Sequence, residues 1–102
     1  MNTIANYINA FSNFSQTPTL VCEDGFSVSV QVSQGHYCQP RQDMADARDY
    51  NSMELGFPNK ADDLLTPYAE NPNAPTETVY GYVPVNVINE IIAKHGGLKR
   101  PF

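Results

Sequence analysis

Apolar and polar residues alternate most sharply from Phe26 to Ser33, where Phe26, Val28, Val30 and Val32 interleave with Ser27, Ser29, Gln31 and Ser33. A period of two predicts a half-buried strand with its valines inward. Leu20, Val21 and Cys22 precede it as a partner strand, and Gly25 closes the turn between them. A two-residue Asp24-Gly25 turn pairs Glu23 with Phe26 and leaves Leu20 and Cys22 among the serines. A three-residue turn over Glu23, Asp24 and a left-handed Gly25 pairs Cys22 with Phe26 and Leu20 with Val28. A slip of one residue inverts every side chain, so burial discriminates. The three-residue turn puts Leu20 and Cys22 on the core face and is the expectation.

Elsewhere the pattern is helical or mixed. Ile4, Ile8 and Phe11, with Tyr7 and Phe14 beside them, form the stripe of a short amphipathic helix over about residues 3–14. Thr17-Pro18 ends it, because a residue before proline disfavours helix. The stretch 52–58 predicts a third strand with Met53, Leu55 and Phe57 inward and Pro58 as its stop. Asp62-Asp63 before Leu64-Leu65 suits the cap of one helical turn. The segment 66–77, with Pro67, Pro72 and Pro75, reads as a long ordered loop. A fourth strand follows at 78–83, with Tyr80 and Tyr82 on one face and Val79, Gly81 and Val83 on the other. The last helix starts at Pro84, where a missing N–H does no harm. Val85, Ile88 and Ile92, with Val87 and Ile91, give it a broad apolar face. Lys94 and His95 suit the negative end of its dipole, and Gly96-Gly97 supply a left-handed stop. Leu98 is expected to fold back onto Ile91 or Ile92. This order predicts one α+β domain over residues 1–102: a mainly antiparallel four-stranded sheet with N-terminal and C-terminal helices.

Composition narrows the partners. A chain of 102 residues with 41% apolar and 17% charged residues has the make-up of an ordinary folded domain. No apolar run approaches the ~20 residues that cross a bilayer. The first residues lack a basic start and a continuous apolar segment, so they do not read as a signal peptide, and the expected compartment is the cytoplasm. Net charge is −5, and residues 43–77 carry eight acids against Arg48 and Lys60. A nucleic-acid binder needs a cationic footprint, which this chain does not offer, so direct nucleic-acid binding is not expected. An acidic middle suits solubility or a basic partner surface.

The stretch Gly35-His36-Tyr37-Cys38-Gln39-Pro40-Arg41 concentrates chemistry. His36-x-Cys38 is a poor metal pair, since structural zinc sites usually show two close pairs, and Cys22 and His95 are isolated. No metal or cofactor is expected. A Cys22–Cys38 disulfide requires the chain to double back. Along a straight strand Cys38 lies roughly 40 Å beyond Phe26, at about 3.3 Å per residue, whereas bridged Cα atoms stand within about 7 Å. Free thiols are therefore expected. Catalysis by Cys38 would need a lowered pKa and a base held against it, with His36 in that role. The competing reading is a small buried cysteine, a hydrogen-bonded histidine and a strand end at Gly35. Arg41 is placed to clamp Asp43 or a following acid. Asp43, Asp46 and Asp49, three apart, lack the calcium-loop pattern. Tyr80 and Tyr82 fit packing under a loop or a protein contact.

Val32 to Arg41 and Thr78 to Gly97 resemble stretches in small proteins encoded by tailed phages and prophages, over roughly residues 20–97. The resemblance carries over no catalytic residues. It implies a phage protein acting as an inhibitor of host defence, a group that includes anti-CRISPR proteins and commonly occupies a basic surface of a host complex. The expected function is thus a non-enzymatic interaction module that binds and blocks a basic surface of a host protein or ribonucleoprotein complex, with no membrane association. Its expected contact residues are Asp43, Asp46, Asp49, Asp62, Asp63, Tyr68, Tyr80 and Tyr82. Two alternatives stand beside it: a small enzyme or metal protein using His36 and Cys38, and a self-assembling structural component of a phage.

Overall fold

The computed structural model describes residues 2–99. Its elements are α1 (Thr3–Asn9), β1 (Leu20–Val21), β2 (Ser27–Gln31), β3 (Ser52–Gly56), β4 (Val79–Pro84) and α2 (Val85–Lys94), with 3₁₀ turns at Phe14–Gln16, Ala47–Asp49 and Thr66–Tyr68. The strands form one four-stranded antiparallel sheet in the order β1-β2-β3-β4. The expected α+β class and the helix at each end are therefore present.

The three-residue turn is the one adopted. Leu20 pairs with Val28 and Val21 with Ser27, the Cys22 N–H donates to the Phe26 carbonyl at 2.8 Å, and Gly25 has φ +94°. Leu20, Cys22, Phe26, Val28 and Val30 are consequently buried in one cluster with Met53, Leu55, Tyr80 and Val83 of the sheet and the isoleucines of both helices. The opposite face carries Ser29, Gln31, Glu54, Val79 and Gly81, each half-exposed.

α1 is shorter than the stripe predicted. It ends at Asn9, whose side-chain oxygen accepts the Ala47 N–H at 2.8 Å and whose amide donates to Asp46 at 3.0 Å, so the 43–50 segment takes hold of its last turn. Phe11 then turns to meet the Tyr7 ring edge-on at 5.2 Å. At its start, Asn2 accepts the Ala5 N–H and Asn89 of α2 accepts the Ile4 N–H, which locks the two helices together. α2 follows the expectation closely: Pro84 precedes it, and Gly96 and Gly97 adopt φ +89° and +91°. Leu98 packs on the core cluster, which includes Ile91 and Ile92, and pairs with Cys22, while the Lys99 N–H donates to the Val21 carbonyl.

Both sheet edges are covered. The 97–99 segment runs along β1, and on the β4 side Ala69 pairs with Tyr80 while the Tyr82 N–H donates to the Tyr37 carbonyl at 2.9 Å. Covered edges remove the unpaired N–H and C=O rows that recruit other chains. The long loop is ordered as expected, and the buried Tyr80 hydroxyl holds it by donating to the Pro75 carbonyl. Among the described residues no helix is long and apolar enough to cross a membrane.

Candidate interaction face

Two aromatic residues break the alternation that the sequence predicted. Phe57 was expected inward with Met53 and Leu55, but its φ is +52° and it is 60% exposed. The left-handed residue changes the parity of the strand end, so Pro58 turns in and Phe57 out. Tyr82 was expected beside Tyr80. Tyr80 is buried and Tyr82 is 44% exposed, because β3 and β4 are related by a bulge: Met53 pairs with Val83 and Leu55 with Tyr80, so Gly81 and Tyr82 together oppose Glu54. Tyr82 takes φ +54° at that bulge, which lets both Tyr80 and Val83 face the core. A left-handed conformation costs a residue with a side chain roughly 1–2 kcal/mol, and such outliers cluster where a surface is used.

The Gly35–Arg41 segment completes this face. Tyr37 lies on Gly81, where an added Cβ would stand 3.3 Å from the Tyr37 Cβ. Its ring centroid is 5.9 Å from that of Tyr82. The Tyr37 N–H donates to Glu54 Oε2 at 3.0 Å. Among the described residues Arg41 forms no ion pair with an acid; its guanidinium stands over the Tyr37 ring at 5.2 Å. Between His36 and Phe57 runs a shallow groove of about 170 Å³, lined by Ser29, Gln31, Glu54 and Val79.

The bonds of His36 and Cys38 go to other groups and not to each other. His36 Nδ1 is bonded to Ser33 Oγ at 2.6 Å, whereas the Cys38 thiol faces the carbonyls of Ser33 and Pro40. The chain doubles back at residues 33–38, so Cys38 enters the core, yet Cys22 and Cys38 are both buried free thiols. Burial pushes both thiols up, Cys22 to about 11, the opposite of activation. A second hollow of about 300 Å³ lies between Ser12–Phe14 and Asp43–Ala45. Its polar groups serve the fold: the Tyr50 hydroxyl accepts the Met44 N–H and donates to Gln42, and Asp43 accepts the Gln34 N–H.

The expected contact residues separate. Tyr80 and Asp62 are 1% and 5% exposed and cannot form a surface. Asp62 accepts from His95 Nε2 at 2.7 Å, from Lys94 at 3.2 Å and from the Leu64 N–H, the capping role that its position before Leu64 suggested. On its other side His95 Nδ1 meets Asp24 Oδ2 at 2.6 Å, and its ring stacks on Phe26 at 4.2 Å. Burial raises the Asp62 carboxyl, but the bonds from His95, Leu64 and Lys94 outweigh it and hold the group below its usual range. Asp46 is also committed, to the Arg48 guanidinium and backbone, which hold it well below the carboxylate range. Asp43, Asp49 and Asp63 remain exposed, Tyr68 is half-buried, and of the expected tyrosines Tyr82 alone is exposed. Tyr37 and Phe57, both exposed, were not among the expected contacts. The signal for Tyr37 was the glycine across from it at position 81; nothing local marks Phe57.

The architecture defines a small α+β domain with one open sheet face. Compared with protein-family models, curated proteins and solved structures, the chain has no match in any of the three.

Proposed function

We propose that this protein is a non-catalytic interaction module that docks on another protein through the open face of its sheet, with Tyr37, Phe57 and Tyr82 as the anchoring side chains. The observation that carries this reading is the backbone at Phe57 and Tyr82. Each is held left-handed, and each points a large ring into solvent. Exposing rings and straining backbone both lower stability, so the arrangement makes sense where the rings are buried against a partner. Aromatic anchors contribute large, rigid contact area. Asp43, Asp49 and Asp63 are exposed acids, whose charge speeds encounter with a basic partner more than it holds the complex. Inhibition of a host defence complex, the role implied by the likeness to phage proteins, is one instance of this reading.

The test compares two sets of substitutions in affinity capture from bacterial lysate with quantitative mass spectrometry. Phe57→Asn with Tyr82→Asn removes the rings and keeps residues that tolerate the left-handed region. Asp43→Asn with Asp49→Asn and Asp63→Asn removes charge alone. The aromatic pair is expected to abolish enrichment of the partner and the charge set to weaken it. Full capture by the aromatic pair would sink the reading.

A further inference from the structure

We infer that the groove between His36 and Phe57 receives the guanidinium of an arginine carried by the partner protein, with Glu54 as its counter-charge. This rests on the open face being the docking surface. Glu54 lies in the groove on the central strand β3, half-buried. Its Oε2 is held by the Tyr37 N–H at 3.0 Å, and no described residue bonds to Oε1. The carboxylate is thus oriented and has an acceptor to spare. Of the other polar walls, the Gln31 amide bonds to Thr17 and Ser29, and His36 Nδ1 to Ser33. A ligand matching this groove offers donors and positive charge to one carboxylate oxygen, and is flat enough to lie against the Phe57 ring at the rim. Guanidinium meets all of these conditions. It is weakly hydrated, stacks on aromatic faces and forms strong charge-assisted bonds, whereas an ammonium keeps its water more tightly. The same pairing already occurs next door, where Arg41 covers Tyr37. The net charge of −5 favours a cationic ligand at any approach.

The probe is the peptide acetyl-Gly-Arg-Gly amide, titrated into the ¹⁵N-labelled full chain, with the citrulline peptide as its uncharged match. Amide shifts are expected at Gln31, His36, Glu54 and Phe57 with arginine and not with citrulline. Glu54→Gln keeps an oxygen for the Tyr37 N–H, so the rest of the spectrum should hold, and it is expected to weaken binding about tenfold, the effect of one charge-assisted bond. Shifts that are absent, equal with citrulline, unaltered by Glu54→Gln, or gathered at Asp43, Asp49 and Asp63 overturn the inference. If capture of the partner still depends on Phe57 and Tyr82 in that case, the cation site falls and the docking face stands. If capture ignores the two rings while the groove binds arginine, the docking reading falls instead.

Discussion

His95 Nε2 lies 2.7 Å from Asp62 Oδ2, a contact buried on both sides and spanning 33 positions of sequence. With Asp24 on the other ring nitrogen, it joins the β1–β2 turn, the turn before Thr66–Tyr68 and the end of α2. Backbone bonds from the Glu23 and Asp24 N–H groups to the Gly97 and His95 carbonyls tie the first segment to the end of α2, and the side-chain bonds of Asp62 bring in the third.

This junction makes stability fall in acid. The carboxyls of Asp62 and Asp24 both titrate lower in the folded chain than in the unfolded one; for Asp24 the Phe26 N–H contributes most and His95 next. As pH drops the unfolded chain takes up protons first, so stability is full above the ordinary carboxylate pKa of about 4 and declines below it. Urea midpoints measured from neutral pH downward should show this loss. Asp62→Ala should cost about 1–3 kcal/mol at neutral pH by leaving the buried His95 Nε2 without the Asp62 oxygen, and should flatten the acid slope.

Phe57→Gly should stabilise the fold. Glycine adopts φ +52° without the penalty of a side chain, and Phe57, 60% exposed, gives up little burial. The expected gain is about 0.5–1 kcal/mol in the denaturation midpoint, together with loss of partner capture. A stable protein that still captures its partner would contradict the role given to this ring.

Gly81→Val should lift Tyr37 off the sheet. The new Cβ would stand 3.3 Å from the Tyr37 Cβ, closer than ordinary contact, and the γ-methyls would crowd the ring further. A cost of about 1–2 kcal/mol is expected from this overpacking. The Tyr37 ring resonances should shift while those of the buried Tyr80 hold.

Both thiols should be slow to alkylate. Burial first, and then the charge of Asp24, raise Cys22 to about 11, and Cys38 is raised by burial as well. At about pH 8 native protein should react with iodoacetamide roughly a hundredfold more slowly than denatured protein. Rapid labelling of native Cys38 would revive the reading of His36 and Cys38 as a reactive pair.

Sequence by itself determined what local physics controls. The period of two in Phe26–Val32, with Gly25 as the left-handed turn residue, selected the β1–β2 register, because the alternative exposed Leu20 and Cys22. Pro84, the isoleucines and Gly96-Gly97 marked α2 to within a residue at each end. Tertiary structure alone decided which aromatics reach solvent. The bulge opposite Glu54 arises from how β4 meets β3, and the left-handed turn at Phe57 is fixed by its N–H bonding to the Thr78 carbonyl at 3.1 Å. A residue's own neighbours do not encode either event, so strict alternation placed Phe57 inside and Tyr82 beside Tyr80. The junction of Asp24, His95 and Asp62 was hidden for the same reason. Its members stand 71 and 33 positions apart, and a charge buried with its partner carries the same letters as a charge in water.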